Sequence, residues 1–209
     1  MEDLRLAYNT LLKPGKSTKK SMTSSAALKL YYKLTLLPFI LFVVVGYLTS
    51  SAGTDWSSNF MMFSAVLSSI MPAYSALIVN AIMFFWILIP AGLLIDAFLY
   101  QVIGKFFLNV WKGNYSKTLT ACVFGSLPLM LFYWIVPVQV IGKIALLVFG
   151  AWNFVVLIIA MSNQQNTTRM NALVSIAATG LFVILVLFAS LAFSALGYMT
   201  LPVGMHYRV

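Results

Sequence analysis

Charged residues are scarce in this sequence, and so are the side chains with which most enzymes do chemistry. Only 8% of the 209 residues are charged, whereas a soluble domain carries about 25%. With one cysteine and one histidine, the chain can form neither an intrachain disulfide nor a Cys/His zinc site. So little charge cannot cover the surface of a soluble protein, and most of this surface must therefore face lipid.

Long apolar runs fill most of the chain instead. Hydrophobic residues make up 62% of it. Five runs are long enough, at 1.5 Å per residue, to cross a hydrocarbon core about 30 Å thick. Lipid offers the backbone no hydrogen-bond partners, so such runs form helices. The predicted fold class is an all-α membrane protein, a five-transmembrane-helix bundle. The predicted spans are 34–52, 76–100, 117–136, 141–161 and 171–198.

The five runs predict a membrane domain over 34–200, preceded by segment 1–33 and followed by a short outer tail, 201–209. The N-terminal segment begins with a short amphipathic helix that stops at Pro14-Gly15, and a polar, basic linker follows. This helix can lie on the membrane or dock on the protein's own loops. Between spans one and two, residues 59–71 predict a helix in the outer interface, ended by Pro72.

Residues 101–112, after the second span, predict an amphipathic stretch that ends at Gly113-Asn114. Ile103, Phe106 and Phe107 are expected on one face, and lysines on the other. Within span two, the sequence Pro90-Ala91-Gly92 predicts a kink.

Lysine and arginine are distributed unevenly between the two sides of the predicted bundle. Seven of the thirteen precede residue 34, four more border the same ends of later spans, and only Lys143 and Arg208 fall on the other side. Basic residues remain in the cytoplasm when membrane proteins insert. The N-terminus is therefore predicted to be cytoplasmic and the C-terminus outside.

The basic N-terminal residues are also the strongest interaction feature of the sequence. Each lysine close to an anionic leaflet contributes about 1 kcal/mol of attraction, so several together can hold the segment against lipid. The simpler interpretation is that these charges only set topology. Nucleic acid is not the expected partner, because the charge is concentrated before a span and not spread over a folded face. The candidate anionic-lipid contacts are Lys13, Lys16, Lys19, Lys20, Lys29 and Lys33.

Three polar residues inside the apolar runs are candidates for an intramembrane site. Asp96 is the only acid within a span, and an unpaired carboxylate there costs several kcal/mol. It lies about one turn from the inner end of span two, so a hydrogen-bonded carboxylate at the membrane boundary is the alternative to a proton or ion site. Asn153 and Asn80 either share a polar cavity with it or join helices by hydrogen bonds.

Residue patterns typical of membrane enzymes are missing. His206 lies in the outer tail, so no Ser–His pair can form in the bilayer, and one Asp cannot make a paired aspartyl site. The sequence also has no P-loop and no metal-ligand spacing. We therefore expect no enzymatic activity and no cofactor. Ser190 and Ser194 form a small-xxx-small pair that favours close helix packing or self-association.

A series of short motifs runs from Lys105 to Ala172. A Lys-Gly-Asn-Tyr-Ser loop precedes span three, which carries Ser-Leu-Pro. A hairpin turn with proline and glycine follows, and then a span that contains tryptophan. This layout resembles the Yip-domain family of Ypt/Rab-interacting membrane proteins, and the resemblance extends over about 34–198. The residues that carry it are Gly113, Ser126, Pro128, Pro137, Gly142 and Trp152.

The resemblance implies five spans, a cytoplasmic N-terminus and a C-terminus on the far side, which is the topology that charge alone predicts. The usual Gly-Gly is Gly113-Asn114 here, and the long N-terminal region with its Tyr-Gly-Pro element is missing. That element is linked to the trafficking role of eukaryotic members, so GTPase binding is not carried over. The chain looks like the compact prokaryotic members, which would place it in the cell membrane.

The function implied by the resemblance is that of a non-enzymatic integral membrane protein. It would organise membranes or recruit partners, in the manner of a trafficking protein. The expected partners are membrane lipids and a membrane or cytoplasmic protein, with self-association as a further option. The alternative, which rests on Asp96, is a small transporter or channel component with a polar intramembrane site.

Overall fold

The computed structural model describes residues 2–51 and 73–200, and the elements in these ranges are helical. The N-terminal segment forms α1 (Glu2–Leu12) and α2 (Pro14–Ser17), and α3 (Ser24–Ser51) follows. The predicted interfacial helix at 59–71 and the tail 201–209 lie outside the described residues. The later α-helices are α4 (Ala73–Ile82), α5 (Ile89–Val102), α6 (Tyr115–Phe132), α7 (Gln139–Gln165) and α8 (Arg169–Thr200).

Within the described ranges, five helical stretches are long and apolar enough to cross a membrane, as the sequence predicts. Most begin or end beyond the predicted spans, because the helices continue into polar residues at the end that holds residues 24, 107, 115, 165 and 169. We call this the inner end, the side that charge predicts to be cytoplasmic. The five stretches are Ser24–Thr49, Ile78–Phe107, Tyr115–Ile135, Val140–Gln165 and Arg169–Leu191.

Helix α6 is the centre of the bundle. Helices α3, α5 and α7 pack around it, and α8 packs against α5 and α7. Its side chains Leu119, Phe124 and Leu127 are fully buried. Gly125 permits the close approach of α7, because a Cβ there would lie 2.7 Å from the Leu157 side chain. The most buried spanning helix therefore contacts lipid least.

Helix α1 docks on the bundle, which is one of the two arrangements that the sequence allows. Near its start, the Asp3 carboxylate pairs with Lys33 Nζ of α3 at 3.2 Å. Ala7 joins the buried core. At its end, the Leu11 carbonyl accepts a hydrogen bond from Trp152 Nε1 of α7 at 3.1 Å. Helix α1 therefore extends from α3 to α7, across α6.

The second spanning stretch is irregular just before Pro90, where the sequence predicts a kink. Residues 83–88 form a π-helix. Proline has no N–H to donate to a carbonyl in the preceding turn. Two tyrosines of α3 supply donors to carbonyls in that turn. Tyr31 Oη donates to the Phe85 carbonyl at 2.7 Å, and Tyr32 Oη donates to the Trp86 carbonyl at 3.3 Å. The same distortion thus anchors the stretch to α3.

A second π-helix, residues 103–107, ends the stretch earlier than the amphipathic pattern predicts. Ile103 is buried, but Phe106 and Phe107 are 74% and 76% exposed, so the predicted apolar face is divided. The reason is a reversal of the chain. The Gly104 carbonyl accepts hydrogen bonds from the N–H groups of residues 110 and 111, and the indole of Trp111 lies against Gly104. This reversal directs the next loop back under the bundle.

Candidate functional site at the inner end of the bundle

Four residues form a closed ring of hydrogen bonds beneath the spans. Gly113 N–H donates to Gln165 Oε1 at 2.7 Å, and Gln165 Nε2 donates to Thr118 Oγ1 at 2.7 Å. The Thr118 hydroxyl donates to Gln101 Oε1. Gln101 Nε2 then donates to the Gly113 carbonyl at 3.1 Å. The ring joins α5, the loop before α6, α6 itself and α7.

The direction of every bond in the ring follows from the backbone of Gly113. Its N–H can only donate, so Gln165 must present its oxygen there and its amide nitrogen to Thr118. Its C=O can only accept, so Gln101 must present its nitrogen there and its oxygen to Thr118. The two glutamine side chains are at most 8% exposed, and an unpaired polar group at such a site costs about 1–3 kcal/mol. The ring leaves none of these atoms unpaired.

Glycine is required at position 113 by the closeness of Gln165. A Cβ at this position would lie 2.5 Å from Gln165 Oε1 and 3.0 Å from its amide carbon. Both neighbours belong to a fully buried side chain that the ring already holds in place. The contact supplies a physical reason for the glycine that the family resemblance singles out.

Two neighbouring side chains at the end of α7 hold the N-terminal segment. Gln164 Nε2 donates to the carbonyls of Thr18 and Lys20 at 2.6 and 3.0 Å. Asn163 Nδ2 donates to Thr18 Oγ1 at 2.7 Å and to the Gly15 carbonyl at 3.4 Å. Thr18 is itself fully buried. The turn after α2 is therefore fixed beneath α7.

The start of α6 holds the same segment on its other side. The Ser116 hydroxyl donates to the Met22 carbonyl at 2.9 Å. The Thr120 hydroxyl lies 3.3 Å from the same oxygen and shares its proton with the Ser116 carbonyl at 2.8 Å. Helix α3 begins two residues later, and Thr23 Oγ1 caps it by accepting from the N–H of Ala26 at 3.3 Å. We call residues 13–23 with their holding side chains Ser116, Thr120, Asn163 and Gln164 the inner clamp.

The basic side chains are not among the groups that hold the clamp together. All six candidate lipid-contact lysines are exposed. Among them, Lys33 forms the ion pair with Asp3 described above, and both partners remain substantially exposed. The segment is thus held by backbone carbonyls and short polar side chains, and its positive charge points outward.

The three candidate intramembrane residues lie on different helices, and no hydrogen bond or ion pair joins them in the described part of the chain. Asp96 is exposed on α5, in electrostatic range of Tyr100 and Cys122. Asn80 is half-buried on α4, which packs on α3. Asn153 is half-buried on α7, and its Oδ1 has no partner among the described residues.

The other residues that carry the family resemblance have structural positions. Ser126 Oγ donates to the Val123 carbonyl within α6 at 2.9 Å. Pro128 and Pro137 are buried, the first inside α6 and the second in the turn before α7. Gly142 lies so close to the Val136 carbonyl that a Cβ would collide with it. Trp152 anchors α1 through Leu11.

The inner end offers hydrogen bonds and positive charge rather than reactive groups. Its ring and clamp contain amides, hydroxyls and backbone, and the described residues include no group of His, Cys, Asp or Glu that could hold a metal. Hydrophobic periodicity does not single out Gln101, Gln164 or Gln165, because they lie at helix ends, outside the apolar runs that define it. A run of amides at the end of an apolar helix was the available signal.

Comparison with known proteins places this architecture in a family. No curated protein and no solved structure matches the chain. The model of the Yip1 domain, however, matches residues 8–203, which include α2 to α8 and the second half of α1. The match covers the loop with Gly113, the α6–α7 hairpin and the inner clamp. The chain belongs to the Yip1 domain family.

Proposed function

We propose that this protein is a non-enzymatic membrane organiser that recruits lipid or protein partners at its inner end. The observation that carries the proposal is the inner clamp. It fixes residues 13–23 to α6 and α7 through buried hydrogen bonds and leaves the lysines exposed. A segment that served only to set topology during insertion would not need to be fixed afterwards.

Charge indicates the class of partner. Lys13, Lys16, Lys19 and Lys20 are exposed within a short fixed segment. Near an anionic leaflet each contributes about 1 kcal/mol, and pre-ordering avoids the entropy that a flexible tail would lose on binding. Anionic lipid headgroups and acidic protein surfaces have the charge that complements this segment.

Site-specific photo-cross-linking in native membranes tests the recruiting role. A photoreactive residue at Lys16 is expected to give discrete protein or anionic-lipid adducts. The same residue at Leu185, which is 58% exposed on the apolar part of α8, serves as the matched control. Changing Lys13, Lys19 and Lys20 to Gln should remove the adducts at Lys16 and leave those at Leu185 unchanged. Identical adducts from the two positions, or no effect of the Gln changes, would contradict the proposal.

A transport function has less support from the arrangement of polar groups. A polar cavity that combined Asp96 with Asn153 or Asn80 would bring these side chains together, and they lie on three helices with no hydrogen bond between them in the described residues. The test is Asp96→Asn, which removes the charge and keeps the shape. We expect partner cross-links and cellular function to survive this change. Loss of function with normal folding would favour the transporter instead.

A further inference from the structure

Helix α1 is attached to the sides of two spanning helices, well away from their inner ends. The Asp3 carboxylate pairs with Lys33, which lies nine residues into α3. The Leu11 carbonyl accepts from Trp152, which lies thirteen residues before the inner end of α7. At 1.5 Å per residue, the two attachment points are roughly 14 and 20 Å from the inner ends of their helices.

The inner ends of α3 and α7 lie at the same level, so the two heights can be compared. Ser116, at the start of α6, bonds the Met22 carbonyl just before α3. Thr118, two residues further along α6, bonds Gln165 at the end of α7. Even if each attaching side chain reaches back by one helical turn, about 5 Å, both ends of α1 stay roughly 10–15 Å from this level. Helix α1 therefore lies across the bundle, roughly parallel to the membrane plane.

Charge places this height at the inner edge of the hydrocarbon core. Lys33 is the last charged residue of α3, and the uncharged residues 34–51 cover about 27 Å, close to the thickness of the core. On α7 the apolar run ends at Met161, and Trp152 lies nine residues deeper in the span. Asp3 and Arg5 of α1 then lie level with Lys33, at the edge where charge is expected.

The face of α1 that points away from the bundle suits this position. Ala7 and Thr10 are buried against the bundle. Tyr8 and Leu12, four residues apart and therefore on one face of the helix, are 62% and 60% exposed. Arg5 is exposed on the same face, and its long stem allows the guanidinium to reach the headgroups. An aromatic and an aliphatic side chain beside a cation are typical of a helix that lies in the membrane interface.

The surfaces on both sides of α1 belong to spanning helices and face lipid. Leu37, one turn beyond Lys33 on the same face of α3, is 61% exposed. Val155, three residues from Trp152 on α7, is 40% exposed. Phospholipids that cover these two residues also reach the outward face of α1, which lies between them.

We propose that α1 is an in-plane membrane helix whose outward face is covered by phospholipids of the inner leaflet. Its axis lies at the boundary between headgroups and acyl chains, and Tyr8 and Leu12 contact the acyl chains. The number of spans stays at five, and neither terminus changes side. This surface is separate from the lysines of the inner clamp, so the inference does not rest on the recruiting role proposed above.

Fluorescence quenching in phospholipid nanodiscs tests the proposal. A bimane label is attached to a single introduced cysteine at Leu12, Leu37 or Ser21, and the native chain measures any labelling of the buried Cys122. Phospholipids brominated on their acyl chains quench labels in the core, and acrylamide quenches labels in water. Leu37 is the matched control in lipid, because it is a leucine as exposed as Leu12. Ser21 is the exposed control on the aqueous side.

Brominated lipid should quench the label at Leu12 nearly as strongly as the label at Leu37 and several times more strongly than the label at Ser21. Acrylamide should give the reverse order. Quenching of Leu12 by acrylamide as strong as that of Ser21 overturns the proposal. So does a label that neither quencher reaches, because a protein surface would then cover α1. If Leu12→Cys fails to fold, Tyr8→Cys on the same face provides the same test.

Discussion

At the scale of single residues, the hydrogen bonds of the ring at the inner end can be arranged in only one way. The ring of Gln101, Gly113, Thr118 and Gln165 uses both polar atoms of each glutamine and both backbone groups of the glycine. A buried network of this kind is stabilising when every member is satisfied and costly when one is removed. Substitutions in it should therefore have larger effects than their size suggests.

Gly113→Ala should destabilise the protein by roughly 2–3 kcal/mol, because the methyl group displaces the Gln165 amide and leaves buried polar atoms unpaired. Gly150→Ala is the control, since a Cβ there meets nothing within 4 Å. That helical change should be neutral or stabilising by about 0.5–1 kcal/mol. Unfolding by denaturing detergent in mixed micelles measures both. Equal effects of the two changes would contradict the steric argument.

Thr118→Val should cost roughly 2–4 kcal/mol, because it leaves one amide oxygen and one amide nitrogen without partners. The control is Thr179→Val, a buried threonine whose one hydroxyl bond among the described residues is to the carbonyl of Ser175 in its own helix. That change should cost less than about 1 kcal/mol. Combining Thr118→Val with Gln101→Leu should cost less than the sum of the two single changes. Strict additivity would show that the ring does not act as a unit.

At the scale of elements, the N-terminal segment is part of the folded domain. Helix α1 contacts α3 and α7 at its two ends, and the inner clamp holds the residues that follow it. Ala7 adds an apolar contact with the core, but the contacts described above for residues 13–23 are hydrogen bonds, so the attachment of this part depends on a small number of them. Such segments open locally at lower cost than a core helix does.

Gln164→Ala should open the clamp, because it removes both bonds to the carbonyls of Thr18 and Lys20. Tryptic cleavage at the lysines of residues 13–20 should become about tenfold faster or more, since cleavage requires local opening. Ser21→Ala, at an exposed position of the same segment, should leave the rate unchanged. If Gln164→Ala were cleaved no faster than the parent chain, the clamp would not be what orders the segment.

At the scale of the whole molecule, charge and packing predict the same division into an inner and an outer side. Two Asn-x-Ser/Thr sequences, the acceptor motif for N-glycosylation, begin at Asn114 and Asn166. The first lies at the cap of α6 and the second at the end of α7, both at the inner end. Exposed lysines of the N-terminal segment lie at that end too. Among the described residues, Lys143 is the one charged side chain at the opposite end of the bundle.

Expressed in a eukaryotic secretory membrane, the protein should therefore carry no glycan at Asn114 or Asn166, because the positive-inside rule keeps this end out of the lumen. An acceptor site on a C-terminal extension is the control and should be modified. Mobility on a gel before and after glycosidase treatment measures both. A glycan at either native sequon would reverse the predicted orientation.

Much of the fold can be predicted from local properties of the sequence. The five spans are predictable because lipid forces each long apolar run into a helix. Thr167 and Thr168 directly precede the last apolar run, where a helix cap is typical, and Thr168 Oγ1 accepts from the N–H of Asn171 at 3.2 Å. The amphipathic pattern after span two wrongly predicted one apolar face for Ile103, Phe106 and Phe107. The chain reverses where Trp111 packs on Gly104, and hydrophobic periodicity does not indicate that contact.

The sequence by itself determined the class of the protein, the number of long apolar helices and the predicted direction of insertion, because composition and charge act on each segment independently. Only the tertiary structure decided that Gln101, Thr118 and Gln165 meet around Gly113 and that α1 docks on the bundle level with Lys33. Each of these depends on which helices are neighbours and on how far each one is shifted along the bundle axis. Packing between segments that are distant in the sequence sets the neighbours and the shifts.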